Sequence, residues 1–176
     1  DFSFGNWYFS QYGRTEGNLN IVGAIKRSND IFFYKTAERT GIDTISDWAK
    51  KFGLGSRLGI DVPSEVAGTI PTVEWKEKEV GEQWYLGDTY NYGIGQGYLL
   101  ATPLQVNMFT TVFANGGTLY HPHLVDDPKI SAKGGWASGP KNQKFIDKKN
   151  IDLFMEGMAQ SFDTGGVAWP LFQFKI

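Results

Sequence analysis

Apolar residues recur at helical spacing in several stretches of this chain, and glycine and proline separate those stretches. Between Asn20 and Gly41 two of them follow each other closely. Ile21, Ala24 and Ile25 line one face of a short helix for which Asn20 is an N-cap. A second helix is predicted from Ile31 to Gly41, the usual left-handed stop residue. Ile31-Phe32-Phe33-Tyr34 puts apolar groups all round its first turn, so this helix is expected to be buried on most sides. The joint is the polar triplet Ser28-Asn29-Asp30. Spacing alone reads it as capping first and as a catalytic element second, because all three residue types are good N-caps.

The remaining pattern is uneven. Residues 1–19 alternate loosely and break at Gly13 and Gly17, which predicts an extended segment and then a loop. Ile45, Trp48, Ala49 and Phe52 form one helix face, with Asp43 capping its start and Gly53 its end. Leu58–Val62 carries a brief strand signal, and Thr72 caps a short helix containing Trp75. Gly81–Tyr92 has no period and is expected to be a long ordered loop anchored by Trp84 and Tyr85. Thr102, Pro103 and Gln105 spell a capping box with proline at N1. The helix they open carries Leu104, Met108 and Val112 in one row and Val106, Phe109 and Phe113 in the next, and stops at Gly116-Gly117. A strand is expected over Gly117–Val125, a solvated excursion over 126–146, and a last helix capped by Asp147. That helix presents Ile151, Phe154, Met155, Met158, Ala159 and Phe162 on one face and ends at Gly165-Gly166, before an apolar extended tail.

At 176 residues the chain is long enough for one domain with its own core. A net charge of −2, from 17 basic and 19 acidic residues, argues against nucleic acid as a partner. No run of eighteen apolar residues is present to span a membrane, and no leader is visible. The absence of cysteine excludes disulfides and thiolate metal sites and leaves the compartment open. Six Trp and thirteen Phe fit either a carbohydrate-stacking surface or an aromatic core, and the core is the commoner use.

Four motifs are candidates for chemistry. Gly93-x-Gly95-x-Gly97 imitates a nucleotide loop, but Tyr98 follows where the dinucleotide fingerprint continues, and no βαβ context surrounds it. His121-x-His123 has no third ligand at a partner spacing and reads as structural. Ser138-Gly-Pro-Lys141 spells Ser-x-x-Lys, in which a lysine amine activates a serine hydroxyl. That chemistry needs a helix N-terminus, which Gly139 and Pro140 in a polar loop deny. Ser28-x-Asp30 is the remaining candidate.

Ser28-Asn29-Asp30-Ile-Phe-Phe-Tyr34, Phe52-Gly-Leu-Gly with Gly59-Ile-Asp61, Gly93-Ile-Gly-Gln-Gly with Thr102-Pro-Leu-Gln105, and Ala114-Asn-Gly-Gly117 occur here in order. Together they resemble the transpeptidase domain of class B penicillin-binding proteins. The elongation-type members are closest, since Trp84-Tyr85-(x)2-Asp88-Thr89 also has a counterpart there. The resemblance covers essentially the whole chain. It implies an α+β fold, the central and mainly helical part of the penicillin-binding-protein/serine β-lactamase-like architecture.

In that family a Ser-x-x-Lys motif carries the nucleophile, Ser-x-Asn or Ser-x-Asp faces it, and Lys-Ser/Thr-Gly lines the far wall. The resemblance assigns Ser28 and Asp30 to the middle motif as catalytic residues and Asn29 as a substrate contact. Lys35-Thr36-Ala37 lacks the glycine of the third motif. Residues 1–176 are therefore expected to be the middle of one transpeptidase domain, inactive alone, with the nucleophile upstream and the Lys-Thr-Gly motif downstream. The implied activity is peptidoglycan cross-linking through a serine acyl-enzyme, without cofactor or metal. Stem peptides and β-lactams are the implied ligands, and a membrane glycosyltransferase of the elongation machinery is the implied partner. The implied location is the extracytoplasmic face of a bacterial inner membrane. The alternatives are a non-catalytic β-lactam sensor or scaffold and, from composition alone, a carbohydrate-binding module.

Overall fold

The structure is a computed structural model that describes Gly5, residues 7–125 and residues 139–171. Its helices are α1 (Trp7–Tyr12), α2 (Ile21–Arg27), α3 (Asp30–Thr40), α4 (Ile42–Lys51), α5 (Val73–Glu79), α6 (Leu86–Gly93), α7 (Pro103–Ala114) and α8 (Lys148–Ser161). Strands β1 (Leu119–Tyr120) and β2 (Pro140–Asn142) pair antiparallel, Leu119 opposite Asn142, with an irregularity before Tyr120. A 3-10 turn covers Trp169–Leu171.

The core lies where α4, α7 and β1 meet. Phe52, Leu58, Met108, Val112 and Leu119 are buried there, with Leu104, Phe109, Phe113, Phe145 and Ile146 packed round them. The capping box of α7 is formed as its sequence demands. Thr102 Oγ1 accepts from Gln105 N at 3.1 Å, and Gln105 Oε1 accepts from Thr102 N at 2.9 Å. The Gln105 amide goes further. Fully buried, it donates to the carbonyls of Gly53, Ser56 and Ala67 at 3.3, 3.0 and 2.8 Å, satisfying loop groups that water cannot reach. Val106, expected in the second apolar row, is exposed instead.

Five other expectations are corrected. Trp7–Tyr12 is helical rather than extended, because the Arg27 guanidinium lies 4.9 Å from the Tyr8 ring centre and 5.6 Å from that of Trp7. Leu86–Gly93 is a helix rather than a loop. It starts where Asp88 Oδ2 accepts from Tyr85 N at 2.8 Å and from the buried Lys76 Nζ at 2.7 Å. That bond to Asp88 also raises the Lys76 amine above its ordinary range. Leu58–Val62 forms no strand: the Leu58 and Gly59 amides donate to Glu65, and Asp61 accepts from Leu124 and Val125. Asp43 does not cap α4; Gly41, at φ 79°, joins α3 to α4 directly. The strand expected over Gly117–Val125 shrinks to Leu119–Tyr120.

Helix α8 begins after Asp147 as expected, but its buried positions are Ile151, Gly157 and Ser161, while Met155, Met158 and Phe162 are exposed. The partner of α8 is α2, which lies across it at Gly157. A Cβ on Gly157 would stand 2.8 Å from Ile25 Cβ, so close approach fixes glycine there. This crossing sets the position of the C-terminal end of α2, and therefore of the Ser28 turn.

Candidate active site

Helix α2 ends in a Schellman arrangement. Ser28 N donates to Ile25 O at 3.1 Å and Asn29 N to Ala24 O at 3.0 Å. Ser28 is the left-handed residue that closes it, at φ 48° and ψ 53°. Glycine is the usual occupant of that position, and a serine there is strained by about 1–3 kcal/mol. Its side chain caps nothing. Asn29 does the capping: its Oδ1 accepts from Phe32 N at 2.9 Å and starts α3. The same residue donates from Nδ2 to Glu16 Oε2 at 2.5 Å and is buried, so both polar ends of Asn29 are engaged within the chain. Of the triplet only Ser28 is exposed.

Ser28 opens onto a cavity of about 1300 Å³. Its walls include Trp7, Tyr8 and Tyr12 of α1, the loop residues Arg14, Thr15 and Glu16, and the Gly165–Val167 turn after α8. That turn is pinned to the end of α2, with Val167 N donating to Lys26 O at 3.0 Å and Arg27 Nη1 to Gly165 O at 2.5 Å. The hydroxyl of Ser28 is thus presented at a wall built from three separate chain segments.

Asp30 is the first residue of α3 and is half-buried. It is not among the residues that line the Ser28 cavity. Burial pushes its carboxyl above the ordinary range, so desolvation outweighs the favourable helix N-terminus at this position. The Tyr34 hydroxyl is raised in turn, by its own burial and then by the Asp30 charge.

The other motifs have structural duties. Gly93 closes α6 against α3, where a Cβ would meet that of Ala37 at 2.5 Å, while Gly95 and Gly97 take positive φ in the following turns. His121 Nδ1 is 2.6 Å from Leu58 O. Burial opposes ionisation of Asp61, yet the Leu124 and Val125 amides, with His123 nearby, hold its carboxyl below the usual range. Among the described residues no three potential metal ligands converge. Ser138 lies outside the described residues; Lys141 Nζ donates to Arg57 O at 2.6 Å. Glu16 escaped the sequence reading altogether. It follows a glycine-flanked loop with no period, and its partners Arg27 and Asn29 are more than ten residues away.

A strained serine between two helices, beside a cavity, fits the motif arrangement of the sequence, and comparison with known proteins decides the family. Residues 1–169 match the penicillin binding protein transpeptidase domain. The chain belongs to that family. Over 122 residues this transpeptidase segment is 45% identical to peptidoglycan D,D-transpeptidase MrdA of Haemophilus influenzae, covering 69% of the chain and 18% of the relative. Among solved structures it is similar to the PBP2 of a complex with MreC from Helicobacter pylori, at 32% identity and TM-score 0.78, over 90% of this chain and 28% of that one. It is likewise similar to Pseudomonas aeruginosa PBP2 in complex with WCK 5153, at 33% identity and TM-score 0.74, over 89% and 36%. The transpeptidase segment therefore spans 18% of the length of that curated relative. Its fold is that of the penicillin-binding-protein transpeptidases, mainly helical here with few strands.

Proposed function

We propose that this chain is the part of a peptidoglycan D,D-transpeptidase that presents the middle active-site motif, with Ser28 as its proton relay. The observation that carries the reading is Ser28 itself. It occupies a left-handed helix stop that glycine would fill without strain, and its hydroxyl caps neither helix. Strain retained at a cavity wall is what a functional residue leaves behind. Family membership supplies the reaction class.

In the proposed reaction a nucleophilic serine from a Ser-x-x-Lys motif elsewhere in the full-length protein attacks the D-Ala-D-Ala carbonyl. The peptide C–N bond breaks, the acyl-enzyme ester forms, and D-alanine leaves after its amine takes up a proton. A hydroxyl donates and accepts at once, so Ser28 passes that proton to the leaving amine without a net change of its own. A neighbouring stem-peptide amine then attacks the ester and restores the serine. Asp30 serves as acceptor for a cationic group, the catalytic lysine by family resemblance. A carboxylate disfavoured by burial gains from such a cation. The full protein would act at the outer face of the inner membrane. Among the described residues no helix is long and apolar enough to cross a membrane. The complex of Helicobacter pylori PBP2 with MreC supports an elongation-machinery partner, and a membrane glycosyltransferase is proposed with it.

The test is Ser28→Ala in the full-length protein. The Ser28 hydroxyl caps neither helix, so its loss should cost the fold little, whereas loss of a proton relay costs about 10²–10⁴-fold in rate. The variant should melt as a folded protein yet acylate with fluorescent penicillin, and release D-alanine from a pentapeptide, at least about tenfold more slowly. Parental rates would return the triplet to an ordinary capping turn.

A further inference from the structure

The two chain neighbours of Ser28 are held by one carboxylate. Glu16 Oε1 accepts from Arg27 Nε at 2.5 Å and Oε2 accepts from Asn29 Nδ2 at 2.5 Å. The Glu16 side chain is only 7% exposed, so these bonds are shielded from water. Both partners are anchored a second time. Arg27 reaches Gly165 O and lies against the Tyr8 ring, while Asn29 accepts from Phe32 N. Residues 27 and 29 are therefore fixed, and Ser28 between them has no freedom to leave its left-handed conformation. We propose that Glu16 is a positioning residue for the transpeptidase reaction, clamping Arg27 and Asn29 so that the Ser28 hydroxyl keeps its aim.

The geometry asks for a carboxylate. Two donors, one charged and one neutral, converge on two separate oxygens, and bonds to an ionised acceptor are about twice as strong as neutral ones. A glutamine of the same shape has one oxygen to offer and turns its NH2 against the second donor. Without the clamp the Schellman turn is free to relax, and a catalytic group displaced by about 1 Å can lose about 10²-fold in rate. The clamp matters only if Ser28 is the relay proposed above, so the experiment separates the two ideas.

In the full-length protein carrying this sequence, acylation by fluorescent penicillin is measured for S28A, E16Q, the S28A/E16Q double variant and E16D. Positioning through Ser28 predicts that E16Q slows acylation about 10–100-fold. The loss should lie in the acylation step and not in prior binding of the antibiotic, a split that general destabilisation would not produce. E16Q should add nothing further once Ser28 is already alanine, because residues acting as a unit are non-additive. E16D keeps both acceptor oxygens but draws them back by one methylene, so its acylation rate should fall between those of the parent and E16Q. Parental acylation by E16Q, or a full additional loss on top of S28A, overturns the positioning role. Parental acylation by S28A overturns the relay reading instead. If E16Q alone does not fold, E16D decides: acylation slowed with prior binding unchanged supports the clamp, and parental acylation overturns it.

Discussion

At the scale of single residues, the Ser28 turn sets stability against activity. Replacing Ser28 by glycine relieves a left-handed side chain, a gain of about 1 kcal/mol, while removing the proposed relay. S28G is therefore expected to melt higher than the parent and to acylate at least about tenfold more slowly. A variant that loses both stability and rate would mean that the hydroxyl holds the turn together. Asp30 makes a complementary prediction in this chain. Burial raises its folded pKa above the unfolded value near 3.8, so its favourable contribution is complete only below that pH and is lost as pH rises through the folded pKa. Asp30→Asn, being neutral throughout, should raise the melting temperature at pH 7, and the gain should vanish below the ordinary carboxylate pKa. The same substitution lowering stability at pH 7 in the full-length protein would mark a cation brought against Asp30, as proposed.

At the scale of elements, legibility followed how local each helix's causes are. Helices α2, α3 and α7 were readable because Asn20, Asn29 and Thr102 cap them within a few residues. The triplet also illustrates the limit. Spacing offered three capping residues, and only backbone geometry assigns the cap to Asn29 and leaves Ser28 with none. Helices α1 and α6 were missed because their supports, the Arg27 guanidinium and the buried Lys76, come from other elements. The strand signal at Leu58–Val62 failed for a similar reason, since the Glu65 carboxylate takes the Leu58 and Gly59 amides that a ladder would need. Gly157 in α8 shows how packing reverses a propensity. Alanine there gains about 1 kcal/mol of helix propensity, but its methyl would stand 2.8 Å from Ile25 Cβ, and overpacking costs about 1–3 kcal/mol. Gly157→Ala should therefore lower stability by up to about 2 kcal/mol in a urea titration. A stabilised variant would show that α2 can slide along α8, and the Ser28 turn would not then be held by that crossing.

At the scale of the whole molecule, a file of aromatic rings ties the helices into one body. Phe52 of the α4 end stacks on Phe113 at 5.5 Å and meets Phe109 at 4.5 Å and Phe145 at 5.2 Å. Phe113 continues the file into α8, stacked on Phe154 at 3.7 Å. Five of the thirteen Phe, at 52, 109, 113, 145 and 154, thus serve a core in this part of the chain, which is the commoner use of such a composition. The file also connects that core to the candidate site, because α8 carries Gly157 and, beyond its end, the Gly165 carbonyl that Arg27 grips. Phe113→Ala removes the ring that bridges α7 and α8. Large-to-small changes of Phe cost about 3–5 kcal/mol when the site cannot collapse, and partial exposure of Phe113 puts the expected loss near the lower end, about 3 kcal/mol. Denaturant unfolding measures it directly. Because α8 buttresses α2, amide exchange at Ser28 and Asn29 should accelerate along with exchange in α8 itself. A loss below about 1 kcal/mol would mean that α7 and α8 are held together by something other than this ring. Loss of stability with unchanged exchange at Ser28 and Asn29 would show that the turn stands on the Glu16 clamp alone, independent of the core.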